Sequence, residues 1–379
     1  MRKLKITHIG KFFPPEHGGI ESVTAALAYD HSSQGHDVNV ICFTNGVSED
    51  VTTGSLTILR RKVFGVFSSQ PVGFKYFLEV MKYSRSADIV HIHAPNLMAG
   101  LAAMLLPKKV KLLVHWHADI SGKGFIGLLV RPIERIMQQR ADTIVCTTQA
   151  YADSSKTLES FKAKIRIIPI GIPEVELHND QDGALEKSLE WVGSRPIILV
   201  VGRLVPYKGL FTLLKAISKM EAKAAVAVVG VGPLQSDLLK EIDRLNLCES
   251  VCLLGRQNED NLARLFAKSD VFCLPSINRA EAFGVVLLEA MRAGLPIVAT
   301  NIRGSGVNWV NKQGVSGENV TPGDADQLAN ILDKFLLDSD LALKYGRQAR
   351  SLYESTFTQG KMTDSFLKTY HDLHLGKKS

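Results

Sequence analysis

Short runs of wholly apolar residues recur along this chain, and nearly every one is followed by a stretch whose apolar residues return at helical spacing. A strand covered by helices on both faces has that continuous apolar character, so the alternation predicts β-α-β units and an α/β architecture with parallel sheets. In the first half, strands are predicted at Leu4–Ile9, Asp37–Phe43, Ile58–Arg60, Asp88–His93, Lys111–Trp116, Thr143–Thr147 and Ile165–Ile168. Helices are expected at about 19–34, 70–85, 97–106, 126–140 and 151–158. The pattern stops at Ile170-Gly-Ile-Pro173, and the polar stretch His178-Asn-Asp-Gln-Asp-Gly183 is the expected linker. A second series then runs through strands at Pro196–Val201, Ala224–Val229, Val251–Leu254, Val271–Leu274, Ile297–Thr300 and Gly317–Val320. Its helices are expected at about 209–220, 234–247, 259–268, 283–293 and 324–337. Two complete cycles predict two Rossmann-like, doubly wound domains facing across a cleft, at 1–175 and 190–358, with 359–379 as a terminal helix.

Composition narrows the partners. The net charge of +7 is lopsided: residues 1–173 hold 21 Lys and Arg against 13 Asp and Glu, and the remainder 24 against 25. A basic amino-terminal half suits an anionic surface. Leu105-Leu-Pro-Lys-Lys-Val-Lys111 and Gly122-Lys-Gly-Phe-Ile-Gly-Leu-Leu-Val-Arg131 set cations beside apolar residues, which suits a lipid interface. Nucleic acid is not expected, because no recognition motif or aromatic-interleaved basic run occurs. The uncharged stretch from Ile89 to Pro107 is as long as a membrane span, but His91, His93, Pro95 and Asn96 make it a strand, a turn and a buried helix. Five cysteines (42, 146, 248, 252 and 273), with no C-x-x-C pair, argue for a reducing compartment.

The chemistry gathers in Arg279-Ala-Glu-Ala-Phe-Gly-Val-Val-Leu-Leu-Glu-Ala-Met-Arg-Ala-Gly294. Glu281 precedes a predicted helix and Glu289 sits two turns inside it, while the free amides near Ala282, Phe283 and Gly284 face the carboxyl edge of a parallel sheet, where anions bind. Carboxylates there would repel a bare phosphate but accept hydrogen bonds from hydroxyls, so the implied ligand is both anionic and hydroxyl-rich, as a sugar nucleotide is. Arg203 and Lys208 follow a strand five residues apart, an arrangement suited to stabilising charge on a departing diphosphate. His91 with His93, and His115 with His117, alternate on strands and share a face; without carboxylates or thiolates beside them, they are not expected to hold a metal. The D-x-D triplets at 180–182, 324–326 and 338–340 are expected to be structural: the first in the linker, the second a helix cap, the third a polar turn.

These motifs together resemble glycosyltransferase family 4, retaining enzymes of the two-Rossmann GT-B fold. The Glu281–Glu289 segment is similar to the family's Glu-x7-Glu signature, Gly202-Arg-Leu-Val-Pro-Tyr-Lys-Gly209 to its Gly-Arg-x(3–4)-Lys-Gly loop, and Val228-Val-Gly-Val-Gly-Pro-Leu234 to its Gly-x-Gly-Pro turn. His17-Gly-Gly-Ile-Glu21 resembles the glycine loop after the first strand, and His115-Trp-His-Ala-Asp119 the histidine motif. The order is the family's, over roughly residues 8 to 324. The resemblance implies that Arg203 and Lys208 bind the donor diphosphate, that Glu289 holds the ribose, and that Glu281 and His117 approach the transferred sugar. It further implies that Gly18 and Gly19 let the backbone approach the phosphates, that Gly230 and Gly232 shape the nucleotide edge, and that the main chain at Arg256 meets the base. Asp119 is a candidate for positioning the acceptor, and the final helix, roughly Gly360–Leu373, resembles one that crosses back onto the first domain.

One departure stands out: Arg303-Gly-Ser-Gly-Val-Asn-Trp-Val-Asn311 replaces the Gly-Gly-x-Pro-Glu run of many relatives. This variant is similar to bacterial transferases, several of them mannosyltransferases, that build O-antigen and related surface polysaccharides. The expectation is thus a hexosyltransferase using a nucleotide sugar, with GDP-mannose ahead of UDP-glucose, UDP-galactose and N-acetylhexosamine donors, and a lipid-linked oligosaccharide as acceptor. It would need no cofactor and no metal, and would work in the cytoplasm, peripheral to the inner face of the plasma membrane. A sugar-nucleotide epimerase or phosphorylase of the same architecture is the alternative. A nicotinamide-dependent oxidoreductase is disfavoured, because His17-Gly-Gly-Ile-Glu21 stands where G-x-G-x-x-G would be required.

Overall fold

A computed structural model describes residues 2–16, 18–67, 70–119, 124–176 and 183–377, and the chain divides into two units. His17, the triplet at 180–182 and all but the last residue of the expected linker lie outside the described residues, as do residues 122 and 123 of the 122–131 segment. The first unit comprises residues up to Gly171 together with Gln359–Ser379, and the second Ile172–Thr358, so the division falls slightly before the expected residue 175.

The first unit opens with β1 (Lys5–Ile9), α1 (Gly19–Ser33), β2 (Asp37–Thr44), β3 (Glu49–Thr53), β4 (Leu56–Lys62), the hairpin β5 (Gly65–Phe67) and β6 (Gln70–Val72), and α2 (Phe74–Ser84). It continues with β7 (Ile89–Ala94), α3 (Leu97–Leu105), β8 (Lys111–Trp116), α4 (Gly124–Arg140), β9 (Thr143–Cys146), α5 (Gln149–Ser154) and β10 (Ile165–Ile167). Its sheet runs β10-β9-β8-β7-β1-β2-β4-β3, parallel except for the edge strand β3. The stretch 89–107 is a buried strand and a helix capped by Asn96, whose side chain accepts from the Ala99 amide.

Three sequence expectations need correction here. The helix expected over 70–85 begins only at Phe74, because Gln70-Pro-Val72 pairs with Gly65–Phe67. The fifth helix is shorter and earlier, at Gln149–Ser154, with the Thr148 side chain accepting from the Tyr151 amide. β3 was not foreseen, since Glu-Asp-Val-Thr-Thr is exposed throughout and carries no core signal. It is held by backbone pairing to β4 and by ion pairs of Glu49 with Arg60 and Asp50 with Arg61, as polar edge strands are.

The second unit holds α6 (Ala184–Ser188), β11 (Ile197–Val201), α7 (Leu210–Ile217), β12 (Ala225–Val229), α8 (Gln235–Arg244), β13 (Val251–Gly255), α9 (Glu259–Lys268) and β14 (Val271–Leu274). There follow α10 (Val285–Arg292), β15 (Ile297–Thr300), α11 (Val307–Val310), β16 (Gly317–Val320), α12 (Ala325–Leu337) and α13 (Ser339–Leu352). Its all-parallel sheet has the order β13-β12-β11-β14-β15-β16, and β11 and β12 lie in a core with Leu213, Leu214, Leu332 and Phe335 of the flanking helices. The triplets at 324–326 and 338–340 are both helix caps: Asp324 accepts from Gln327 and Asp338 from Leu341. The second corrects the expected polar turn, for it starts the unforeseen α13, whose buried face is only Tyr345, Gly346, Ala349 and Leu352.

The last helix, α14 (Gln359–His374), packs on the first unit. It covers a sheet face made of histidines: His8 of β1 is in register with His91 of β7, and His93 of β7 with His115 of β8. Tyr370 of α14 bonds His91 Nδ1 at 2.6 Å, Phe366 stacks on the His91 ring and lies tilted against that of His115, and His31 meets the Thr363 carbonyl. Burial pushes all five of these histidines and His117 toward the neutral form, His8 and His117 down to about 3. A histidine whose folded pKa lies below its unfolded value of about 6.5 supports the fold fully above that pH and withdraws the support as the pH falls toward the folded value. Each group contributes up to about 1.4 kcal/mol per pH unit, and the carboxyls of Glu21, Glu134 and Glu289, raised by burial, are fewer than these histidines and do not reverse the sign. The melting temperature should therefore be level from pH 8 to 7 and drop steadily from pH 6.5 to 4 in a scanning-calorimetry series; a level curve down to pH 5 would refute this account.

Candidate active site

In the second unit the strand order turns back between β11 and β14, so the loops leaving these neighbours diverge and open a crevice at their carboxyl ends. Arg203 and Lys208 lie on the loop after β11; Glu281, Ala282, Phe283 and Gly284 lie on the loop after β14. Lys208 Nζ meets Glu281 Oε2 at 2.6 Å, and both side chains are largely buried. Arg203, by contrast, is exposed and has no hydrogen-bond or ion-pair partner among the described residues. Arg203 and Lys208 line a small recess with Gly202, Val228, Leu274 and Pro275.

Glycines decide how close these loops come. Gly209 has φ 68°, and a Cβ there would lie 1.9 Å from the Pro275 carbonyl oxygen, so only glycine lets the cationic loop press on the end of β14. Gly230 and Gly232, expected at a nucleotide edge, pack on the same loop: a Cβ on Gly230 would lie 2.0 Å from the Gly202 oxygen, and one on Gly232 2.4 Å from that of Leu204. They hold the loop that carries Arg203. The Gly230 amide also donates to the Gly255 carbonyl at 2.8 Å, beside exposed Arg256 at the end of β13.

Glu281 is braced by residues that sequence reasoning did not single out. Ser276 Oγ donates to its Oε2 at 2.9 Å, and Ser305 Oγ donates to its backbone carbonyl. The divergent 303–311 segment accounts for the latter contact: the Gly306 amide donates to the Ala282 carbonyl at 2.7 Å, and Arg279 donates to the Gly304 carbonyl at 3.0 Å. The signal was present as paired small residues in that segment, but its target was not legible. Gly284, at φ 78°, caps α10, and the amides of Phe283 and Gly284 have no acceptor among the described residues. The carboxylate of Glu289, half-buried on α10, likewise lacks a hydrogen-bond partner there. Desolvation pushes its carboxyl up to about 7, and the nearby Glu259 acts in the same direction against the pull of Arg292.

The remaining expected site residues belong to the first unit. Gly18 caps α1 in extended conformation with Gly19 as its first residue, and the Glu21 carboxylate folds back so that a Cβ on Gly18 would meet it at 2.1 Å. His117 follows β8, buried and neutral through desolvation and the field of Lys11. Asp119 serves the fold: its Oδ1 accepts from Trp116 Nε1 at 2.9 Å, Ser155 at 2.7 Å and Thr157 at 3.2 Å. Ring nitrogens of His8, His91 and His93, and of His93, His115 and His117, lie within 4.8 Å of one another, close enough for a divalent cation. In the first group His91 stacks on His93 at 4.2 Å, and stacked imidazoles direct their in-plane lone pairs side by side instead of at one point; in the second, His115 lies against His117 at 3.8 Å, tilted by 31°.

The two cations separate by environment. Arg203→Ala should leave unfolding free energy within about 0.5 kcal/mol, since an exposed residue without partners is removed. Lys208→Ala strands Glu281 without its cation and should cost about 3 kcal/mol in a urea titration. Equal stability of the two variants would show that the Lys208–Glu281 pair does not form.

Two family models match the chain: Glycosyltransferase Family 4 over residues 17–175, and Glycosyl transferases group 1 over residues 182–352. The chain is 27% identical over 377 residues to the O-antigen chain mannosyltransferase C of Escherichia coli, covering 98% of this chain and 99% of that protein. It is 28% identical to the D-rhamnosyltransferase WbpZ of Pseudomonas aeruginosa, covering 94% and 92%. Among solved structures, Anabaena HepE in complex with UDP superposes with a TM-score of 0.77 at 19% identity, covering 97% of this chain and all of that one. With both units matched and the crevice built from the family's own motifs, the chain belongs to glycosyltransferase family 4 and is a nucleotide-sugar-dependent hexosyltransferase of the GT-B fold.

Proposed function

We propose that this protein transfers mannose from GDP-mannose, with retention of anomeric configuration, to a lipid-linked oligosaccharide during assembly of a surface polysaccharide such as O-antigen. The observation that carries the reading is the Lys208–Glu281 pair beside the partnerless Arg203 at the strand-order reversal of the second sheet. Arg203 and Lys208 take the diphosphate, and their charge counts most as the sugar–phosphate bond breaks and the leaving group gains negative charge. The Phe283 and Gly284 amides and Glu281 take oxygens and hydroxyls of the sugar, Glu289 takes the ribose, and the backbone beside Arg256 meets the base. His117 takes a sugar hydroxyl. With Glu281 held by a lysine and a serine, a front-face displacement fits better than a covalent intermediate: the leaving phosphate oxygen receives the proton of the attacking acceptor hydroxyl as the new glycosidic bond forms. No metal or cofactor has a part in this scheme. The name of one full-length relative, an O-antigen chain mannosyltransferase, supports the polysaccharide role and the choice of mannose.

The test is release of nucleoside diphosphate from a panel of GDP-mannose, UDP-glucose, UDP-galactose and N-acetylhexosamine donors. Turnover should be fastest with GDP-mannose, and Arg203→Ala should lower kcat about 100-fold while the protein stays folded. Because Glu289 accepts hydroxyl bonds best when ionised, donor KM should fall as the pH rises from 6 through 7 to 8, and Glu289→Gln should remove that dependence. Turnover with none of the donors, or an unaltered kcat in Arg203→Ala, would defeat the proposal.

Action at the cytoplasmic face of a membrane is supported by the surface of the first unit. No helix among the described residues is long and apolar enough to cross a membrane. Phe64, Val66, Phe74 and Leu78 are nonetheless exposed on the β5–β6 hairpin and α2, with Lys62, Lys75 and Lys82 exposed on the same elements or beside them. Apolar side chains ringed by cations suit an anionic bilayer surface. The protein should cosediment with phosphatidylglycerol vesicles at low salt and not with phosphatidylcholine vesicles, and a Phe64→Ser, Phe74→Ser double variant should lose at least tenfold in affinity. Equal binding to both vesicle types would remove the electrostatic part of this reading.

A further inference from the structure

His8 of β1, His93 of β7 and His117, just past the end of β8, form a file of hydrogen-bonded rings. His8 Nδ1 lies 3.2 Å from His93 Nε2, and His93 Nδ1 lies 3.2 Å from His117 Nε2. His8 and His93 are wholly buried, whereas His117 keeps 7% of its surface, so the file is closed at one end and open at the other. Burial keeps all three rings neutral.

A neutral imidazole carries one proton on one of two nitrogens. Two bonds between three such rings then admit only two arrangements. Either all three carry the proton on Nε2, and the bonds run from His117 toward His8, or all three carry it on Nδ1, and the bonds run from His8 toward His117. The closed end decides between them. His8 Nε2 is buried and has no partner. The first arrangement would strand an N–H donor there, and the second leaves only a lone pair; stranded buried N–H groups are the rarer and costlier outcome.

We propose that His8 and His93 are positioning residues that lock His117 as its Nδ1–H tautomer, so that the open end of the file presents a hydrogen-bond donor to an oxygen of the sugar. This rests on the reading that His117 meets the transferred sugar, and it adds what that contact selects: a sugar whose hydroxyl oxygen accepts at that point. The three rings change tautomer only together, so a substitution at His93, out of ligand reach, alters what His117 offers. A cation seated between two bonded rings would replace the proton they share, so a bound metal and the intact file exclude each other.

Long-range 1H–15N correlation on protein labelled with 15N-histidine reads the tautomers without any substrate. At pH 7.5, His8, His93 and His117 should all show protonated Nδ1 and bare Nε2. In His93→Asn, whose amide nitrogen can stand where Nδ1 stood, His117 should keep that form; in His93→Leu it should lose it. Nε2–H on His117, mixed tautomers within the file, or a stoichiometric metal found by elemental analysis would overturn the proposal, and the wild-type spectrum alone decides this even if His93→Leu fails to fold. With a turned-over donor in hand, His93→Leu should raise donor KM by about 3- to 10-fold with kcat within about twofold, and His93→Asn should restore it. Spectra as expected with an unaltered KM in His93→Leu would leave the file intact but refute its service to the sugar, separating failure of this inference from failure of the reading beneath it.

Discussion

The reversal of strand order between β11 and β14 is the constraint on which the chemistry of this protein depends. Parallel strands joined by right-handed crossovers send their connections to one face or the other according to the direction in which the sheet grows. Where that direction changes, two neighbouring strands release their loops apart, and here those loops carry Lys208 and Glu281. The pair is a buried contact of 2.6 Å between groups 73 residues apart, fixed by backbone that only glycine permits at positions 209, 230 and 232. Arg203, on the same loop but outside that contact, is left available to an incoming anion.

The first sheet solves a different problem. Its own reversal lies between β7 and β1, and it brings His8 beside His91 and His93 in the interior instead of opposing charges at the rim. Burying several imidazoles is tolerable because each can shed its proton, and α14 covers them with Phe366 and Tyr370. The price is acid sensitivity. The gain is a row of rings whose tautomers depend on one another and which ends at His117, the histidine that the family resemblance directs toward the sugar.

Much of this was legible in the residues. The strands of the second unit were placed to within a residue, and all but β16, Gly-Glu-Asn-Val, are continuous apolar runs that admit one reading. Arg203, Lys208 and Glu281 were singled out by charge in glycine-bounded loops. β3 and α13 escaped for the same reason: one is an exposed edge strand held by ion pairs, and the other rests on four buried positions, so neither carries a strong hydrophobic period. Ser276 and Ser305 were illegible because serine in a loop has too many ordinary uses, and only proximity to Glu281 distinguishes these two.

By itself the sequence determined the α/β class, the two cycles of strand and helix, and the chemical types needed to hold an anionic, hydroxyl-rich ligand, since periodicity and residue type are local properties. Only the tertiary structure decided that Lys208 is paired while Arg203 is not, that Asp119 is committed to Trp116, Ser155 and Thr157, and that three distant histidines share one line of hydrogen bonds. Those outcomes depend on which strands become neighbours and in what register, and distances between residues far apart in the chain are set by that packing.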